Sequence, residues 1–255
     1  MKLIDSILNE RPAFHCAETE IHRAFDPSES FLSHREAKRL TSQGSESVCY
    51  SVGRDVAYFI ADSVNPSSRT LETGVGISTL TFAIGGATHT AITPNQTEIE
   101  AIRKYAKTKN ISLDSVQFAI ESSDQFLTHS NIDNLDMVFI DGKHAFPWPI
   151  VDWFYSADRI KQGGIMLVDD AQMKSVRILV DFMIADPRWS NLQSFGDRTF
   201  AFRKECVSVH DVAWHMQPYN FDEQTDRNHL MTMMKGMASK STLKKVMRFL
   251  RRHPN

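Results

Sequence analysis

The sequence predicts an α/β protein with a doubly wound, mostly parallel sheet that ends in an antiparallel hairpin. First, short apolar runs typical of strands alternate with segments whose apolar residues repeat at helical spacing. Second, the glycine-rich turn Gly74-Val75-Gly76 joins the first predicted strand to a helix. Third, Gly196-Asp197 is a hairpin signal between the last two predicted strands. Strands that alternate with helices imply right-handed crossovers, and ligands then bind beyond the carboxyl ends of the strands.

The predicted elements follow one another along the chain after two N-terminal helices, one around Ile4, Ile7 and Leu8 and one over 33–40. The first strand leads into the glycine turn, and the other strands are predicted at 89–92, 116–120, 135–140, 165–168, 189–195 and 198–203. Helices are predicted at 52–64, 80–83, 98–109, 123–128, 147–160 and 175–184. The run at 135–140 is apolar apart from Asp136, which predicts a central, buried strand.

Length and composition predict a globular protein of one main domain with extensions. The 255 residues are 42% hydrophobic and 24% charged, and we expect a helical extension at 1–49, a main domain at 50–206 and an extension at 207–255. No apolar run is long enough for a transmembrane helix, and the N-terminus lacks a signal-peptide pattern. Three scattered cysteines predict neither a disulfide framework nor a zinc site. These features predict a cytoplasmic location.

The C-terminal tail is strongly basic. From residue 227 onward it holds eight Lys and Arg and no acid, which leaves 21 basic side chains against 31 acidic ones in the rest. An apolar stripe among these bases predicts an amphipathic helix. Such a helix either packs on the acidic body or a second subunit, or contacts an anionic partner or membrane surface. We favour packing of this helix on the body or on a second subunit. Packing on a second subunit would give a homo-oligomer.

The glycine turn is the first candidate binding site. Glu72 precedes Gly74 and Gly76, and a helix begins just after them, so free backbone N–H groups and a carboxylate lie close together. An ordinary turn between a strand and a helix is the alternative. The motif resembles the first motif of class I S-adenosylmethionine (SAM) methyltransferases. That resemblance implies a Rossmann-like methyltransferase fold in which Glu72, Gly74, Gly76 and Ser78 hold SAM.

The same resemblance suggests residues for the rest of the cofactor. In the family, an acid at the end of the second strand binds the ribose hydroxyls. This chain has Thr93 there, which offers one hydrogen bond that Asn95 can supplement, but the contact from a carboxylate to the diol is lost. Ser122 and Ser123 end the third strand and would contact the adenine. Their alternative role is to cap the next helix.

Acidic residues end the fourth and fifth predicted strands. Asp141 follows the fourth, His144 lies three residues later, and Asp169 and Asp170 follow the fifth. Because neighbouring parallel strands end at the same edge, these groups should converge. Three carboxylates would repel and raise each other's pKa unless a cation lies among them, and oxygen ligands favour Mg²⁺ over zinc. Taken singly, each could be a strand-end residue, a helix cap or a loop histidine.

A closer resemblance covers residues 50–204. ETGVG, DMVFID and GGIMLVDD are similar to motifs of the catechol type of metal-dependent O-methyltransferase and of the macrolide-sugar O-methyltransferases. The resemblance implies that Asp141, Asp169 and Asp170 bind a divalent cation, that Asp141 also contacts SAM, and that His144 is the catalytic base. The implied reaction is O-methylation of a small-molecule hydroxyl.

Two alternatives keep the fold. One is a SAM methyltransferase without a metal, in which the paired aspartates orient the acceptor. The other is a non-catalytic SAM-fold protein that binds a partner through its basic tail. The glycine spacing argues against a nicotinamide dehydrogenase, and no nucleic-acid partner is expected.

Overall fold

The structure is a computed structural model that describes residues 2–16, 47–48 and 50–220. The helix predicted at 33–40 and the basic tail from 227 lie outside the described residues. The chain divides into two units, residues 1–210 and 211–255. In the second unit, the described residues form two short 3₁₀ turns, Trp214–Met216 and Pro218–Asn220. All that follows concerns the first unit.

The elements of the first unit are numbered here in chain order. The helices are α1 (Lys2–Glu10), α2 (Arg54–Ser63), α3 (Ile77–Ile84), α4 (Gln96–Thr108), α5 (Ser123–His129), α6 (Trp148–Ser156) and α7 (Lys174–Ala185). The strands are β1 (His15–Cys16), β2 (Ser47–Val48), β3 (Arg69–Thr73), β4 (Thr88–Ile92), β5 (Val116–Ala119), β6 (Leu135–Ile140), β7 (Ile160–Val168), β8 (Trp189–Phe195) and β9 (Thr199–Lys204).

The main sheet confirms the predicted fold class. Within the described residues it has seven strands in the order β5-β4-β3-β6-β7-β9-β8. The first five of these are parallel, and β9 runs antiparallel to both β7 and β8. Gly196 lies in the hairpin turn with a φ of 61°. Strands β1 and β2 form a separate antiparallel pair.

Apolar side chains cover both faces of the sheet, because consecutive strand residues point to opposite sides. On one face, Ile60 of α2, Phe82 of α3 and Ile102 of α4 pack together with Ile4 and Ile7 of α1. On the other face, side chains from α5, α6 and α7 pack together, with Leu127, Trp153 and Val180 among them. Strand β6 is buried from both sides, as its apolar run predicted.

The predicted boundary between α6 and β7 is wrong. Helix α6 ends at Ser156, a 3₁₀ turn follows over Ala157–Arg159, and β7 begins at Ile160 rather than at Ile165. Gly163 and Gly164 therefore lie within the strand rather than before it. There the pairing with β6 jumps from Leu135↔Ile160 to Met137↔Ile165, so the chain bulges around Gly163, whose φ is 84°.

A membrane-spanning helix is not found: within the described parts of the chain, each helix is too short or too polar to cross a bilayer.

Candidate active site

The carboxyl ends of β3, β6 and β7 meet at one edge of the sheet. Gly74 donates its N–H to the carbonyl of Ile92 (2.9 Å), and Asp141 donates its N–H to the carbonyl of Thr73 (3.1 Å). Asp169 likewise donates its N–H to the carbonyl of Ile140 (3.0 Å). The residue after each strand therefore remains bonded to a neighbouring strand. This pairing brings the glycine turn and the loops that carry the predicted acids to the same edge.

Asp141 lies in the most acidic part of this edge. Burial raises the pKa of Asp141 well above its usual value, and the nearby carboxylates of Asp169 and Asp170 raise it further. Arg198 acts in the opposite direction without cancelling the effect. The convergence of negative charge that the strand ends predict is therefore present.

Arg198 is a site residue that sequence reasoning missed. Its Nη2 lies 2.9 Å from Asp169 Oδ2, and its Nε lies 3.1 Å from Asp170 Oδ1. The side chain lowers the repulsion among the acids, and the two carboxylates raise the pKa of Arg198 despite its partial burial. A signal existed: an antiparallel neighbour of β7 begins where β7 ends, so residues at the start of β9 lie beside the acids.

The three predicted metal ligands do not occupy equivalent positions. Asp169 is buried and accepts hydrogen bonds from Arg198 and from the hydroxyl of Thr199. One ligand atom each from Asp141, His144 and Asp170 instead lies within 4.8 Å of the others. His144 therefore takes the place beside Asp141 and Asp170 that the sequence predicts for Asp169. Asp169 is bonded to Arg198 and Thr199 instead.

His144 lies beside Asp170, as the strand ends predict. Its Nε2 is 3.1 Å from Asp170 Oδ2, and its side chain is 29% exposed. The backbone carbonyl of His144 accepts a hydrogen bond from the hydroxyl of Ser175, which fixes the loop to the start of α7. Asp170 itself has a φ of 59°, in the left-handed region.

Glycine is required at position 74 because the backbone of the turn passes close to the backbone of the loop that carries Asp141. Gly74 has a φ of 89°, and a Cβ there would lie 2.3 Å from the carbonyl oxygen of Asp141. A Cβ at Gly76 would meet the ring of His15 at 3.7 Å, which is ordinary contact. The turn is therefore packed between the Asp141 loop on one side and His15 on the other.

Glu72 is buried near the end of β3, just before the glycine turn. It is fully buried, accepts a hydrogen bond from the hydroxyl of Thr79, and lies 3.2 Å from Nε2 of His89. Its second oxygen, Oε2, is buried without a hydrogen-bond partner among the described residues. Thr79 also accepts the N–H of Gly76 (2.9 Å), so Glu72 supports the shape of the turn.

The other predicted cofactor residues lie at the same edge, on β4, α3 and α5. Ser78 is buried in the first turn of α3, and Thr93 is buried directly after β4. Thr93 donates a hydrogen bond to Glu98 Oε2 (3.0 Å). Ser122 is the residue before α5, but its side chain makes no capping hydrogen bond, so its hydroxyl is not used by the helix.

A second missed residue is Asp152 of α6. Its side chain is buried, and this burial raises its pKa to about 6. The hydroxyls of Ser123 and Thr73 approach and partly offset the effect, while Asp124 adds to it. No well-aligned hydrogen bond forms. No sequence signal marked Asp152, because it lies within a helix and away from any strand end.

Comparison with known proteins finds a family match for one segment of the chain. Residues 71–171, which run from β3 through the loop after β7, match a family described as a methyltransferase domain. No curated protein sequence matches the chain.

Solved structures share the fold. The cofactor-bound Rv0187 from MTB is 17% identical, with a TM-score of 0.54 over 74% of this chain and 97% of that one. TomG from Streptomyces achromogenes, an O-methyltransferase of tomaymycin synthesis in complex with SAM, is 15% identical (TM-score 0.51, 70% and 91% covered). An O-methyltransferase from Bacillus cereus in complex with S-adenosylhomocysteine (SAH) is 17% identical (TM-score 0.50, 71% and 95% covered).

The matched segment contains the glycine turn, both acidic loops and the parallel strands that position them. Over this segment the chain therefore matches a methyltransferase domain, and its fold is shared with the SAM-bound and SAH-bound O-methyltransferases named above.

Proposed function

We propose that this protein transfers a methyl group from SAM to a hydroxyl oxygen of a small molecule, with the help of a divalent cation. The observation that carries the proposal is the grouping of Asp141, His144 and Asp170 beside the glycine turn. These residues supply what such a reaction needs at the acceptor: negative charge to hold a cation and an imidazole to take a proton.

The edge of the sheet suits SAM on three counts. The turn at Gly74 and Gly76 carries no side chain that would block a ligand. Oε2 of Glu72 lacks a partner beside this turn, where a donor group would satisfy it. Ser122 offers a hydroxyl that its helix does not use.

A divalent cation suits the acidic cluster. Asp141 and Asp170 would hold it, because Asp169 is already engaged by Arg198 and Thr199. The raised pKa of Asp141, caused by burial and by its two acidic neighbours, is what a bound cation would reverse. When bound, the cation lowers the pKa of an acceptor hydroxyl.

His144 is the proposed proton acceptor. Asp170 faces Nε2 at 3.1 Å and so favours the tautomer with its proton on that nitrogen. Nδ1 then accepts the proton when the O–H bond of the acceptor breaks. The oxygen attacks the methyl carbon, the bond from that carbon to sulfur breaks, and SAH leaves. The ring of Phe146, which is 64% exposed two residues after His144, offers an apolar surface to the acceptor.

A second candidate is the same reaction without a metal. It is favoured by Arg198, whose guanidinium already places a permanent positive charge against Asp169 and Asp170. In that case the paired acids and Arg198 orient the acceptor, and His144 alone removes the proton.

Transfer of labelled methyl groups from SAM to a panel of hydroxyl compounds tests both candidates. Activity that disappears with a chelator and returns with Mg²⁺ supports the first. Activity that a chelator leaves unchanged overturns the first and supports the second. A protein that binds neither SAM nor SAH contradicts both.

A further inference from the structure

The end of β4 lacks the acid that a nucleotide-binding sheet ordinarily places there. In such folds, a carboxylate about 20 residues beyond the glycine turn binds the ribose hydroxyls. Here Thr93 is the first residue after β4. Its hydroxyl already accepts the N–H of Asn95 (3.2 Å), which leaves one acceptor site, whereas a carboxylate offers about four.

A carboxylate reaches this position from the next helix. Glu98 lies in the first turn of α4, and its Oε2 accepts the hydroxyl of Thr93 at 3.0 Å. Side chains on a helix lean toward its N-terminus, which here is the end joined to β4. The carboxylate therefore lies beside Thr93 although Glu98 is five residues further along the chain.

The other oxygen of Glu98 connects this carboxylate to the glycine turn. Nδ1 of His15 lies 3.2 Å from Oε1, and the two side chains are 17% and 16% exposed. The opposite nitrogen of the same ring, Nε2, is the atom that a Cβ at Gly76 would meet at 3.7 Å. One imidazole thus spans the distance from Glu98 to the turn.

The cap of α4 does not involve Glu98. The start of α4 is capped by Asn95, whose side chain accepts the N–H of Thr97 at 3.0 Å. Its carboxylate contacts the side chains of Thr93 and His15, both of which lie outside α4. Each carboxylate oxygen has two acceptor sites, so contacts to Thr93 and His15 leave acceptor capacity for a ligand.

We infer that Glu98 binds the ribose hydroxyls of the cofactor, in place of an acid at position 93. The inference rests on the proposed use of SAM, and it assigns the contact to a different element of the fold. Thr93 and His15 hold the carboxylate in position, and the vicinal diol of the ribose is the group it recognises.

Calorimetric titration with SAH and with its 2′-deoxy analogue tests the inference. Wild type should bind SAH more tightly than the analogue. Glu98→Gln should weaken SAH binding about tenfold or more and remove most of that preference. Glu100→Gln, on an exposed residue of the same helix, is the matched control and should change neither value. Adding Thr93→Asp to Glu98→Gln should restore both affinity and preference, which shows that the variant folds.

The outcomes separate this inference from the function. Glu98→Gln that keeps both the affinity and the preference for the diol overturns the role of Glu98 and leaves the methyltransferase function intact. Wild type that binds SAH and its 2′-deoxy analogue equally well also overturns the role of Glu98 and leaves the methyltransferase function intact. Wild type that binds no SAH overturns the proposed function itself.

Discussion

The guanidinium of Arg198 contacts the carboxylates of Asp169 and Asp170, and this contact decides which oxygens remain for a ligand. Asp169 is committed to Arg198 and Thr199, whereas Asp141 faces a surplus of negative charge. His144 faces Asp170 from the neighbouring loop. At the scale of single residues, the proposed chemistry therefore depends on Asp141, His144 and Asp170.

Replacing His144 with Ala should lower turnover roughly 10²–10⁴-fold, the usual worth of a positioned base. Turnover is measured with an acceptor found in the transfer screen, and cation binding is measured by calorimetry. His129→Ala is the matched control, because His129 also faces a carboxylate, that of Glu121 at 2.8 Å, on an exposed surface. Loss of cation binding in His144→Ala would make His144 a ligand instead of the base.

Asp152 should make the protein less stable at high pH. Burial raises its pKa in the folded state to about 6, above the unfolded value, so the folded state binds the extra proton. Stability then falls as pH rises from about 4 to about 6, and it stays lower above that range. Since one pH unit corresponds to about 1.4 kcal/mol, Asp152→Asn should gain about 2–3 kcal/mol over wild type between pH 4 and pH 8.

Urea unfolding at pH 4 and pH 8 measures this difference. Asp158→Asn should instead lower the free energy of unfolding, and by more at pH 8 than at pH 4. Although partial burial opposes it, hydrogen bonds from Val209 and Ser208 lower the pKa of Asp158. Its stabilising effect is present above the unfolded pKa and is lost as pH falls through the folded one. A gain for Asp152→Asn that is equal at both pH values would contradict the raised pKa.

At the scale of elements, the turn after β3 packs directly against the loop after β6. Gly74→Ala would place a Cβ 2.3 Å from the carbonyl oxygen of Asp141, at a φ of 89°. The loop that carries Asp141 must then move, so we expect SAH binding to be lost. The structure locates the collision in the backbone.

Gly163→Ala is the control for Gly74→Ala. Its φ is 84°, but nothing lies within 4 Å of the added Cβ. It should cost about 1–2 kcal/mol of stability and leave SAH binding unchanged. Both variants are compared by thermal unfolding and by calorimetry. Equal SAH affinity in the two variants would show that the approach of the two backbones does not shape the site.

The sequence allowed the parallel strands and their acidic ends to be predicted, because apolar runs and the strand-end rule depend only on local pattern and topology. Local pattern alone did not identify the partners of Asp169, since Arg198 and Thr199 lie at the start of β9, about 30 residues further along the chain. It also could not show that Glu72 turns inward to Thr79 and His89, or that Glu98 lies beside Thr93. Such contacts depend on side-chain direction and packing, which a linear pattern does not carry.

At the scale of the whole molecule, every residue assigned to the site lies in the unit formed by residues 1–210. The basic tail from residue 227 carries none of them. Deleting residues 241–255 should therefore leave SAH affinity and turnover within a few-fold of wild type. Circular dichroism confirms that the shortened protein folds. A folded deletion variant without turnover would place the tail in the active site.

The most direct test of the central claim is a crystal structure of the protein soaked with SAH and Mn²⁺, with the ion located by anomalous scattering. SAH should lie at the turn of Gly74 and Gly76, with its ribose against Glu98. A manganese peak should lie between Asp141 and Asp170, with His144 facing the open side. SAH bound away from the glycine turn would contradict the methyltransferase site, and SAH bound there without a manganese peak would contradict the metal-assisted reaction.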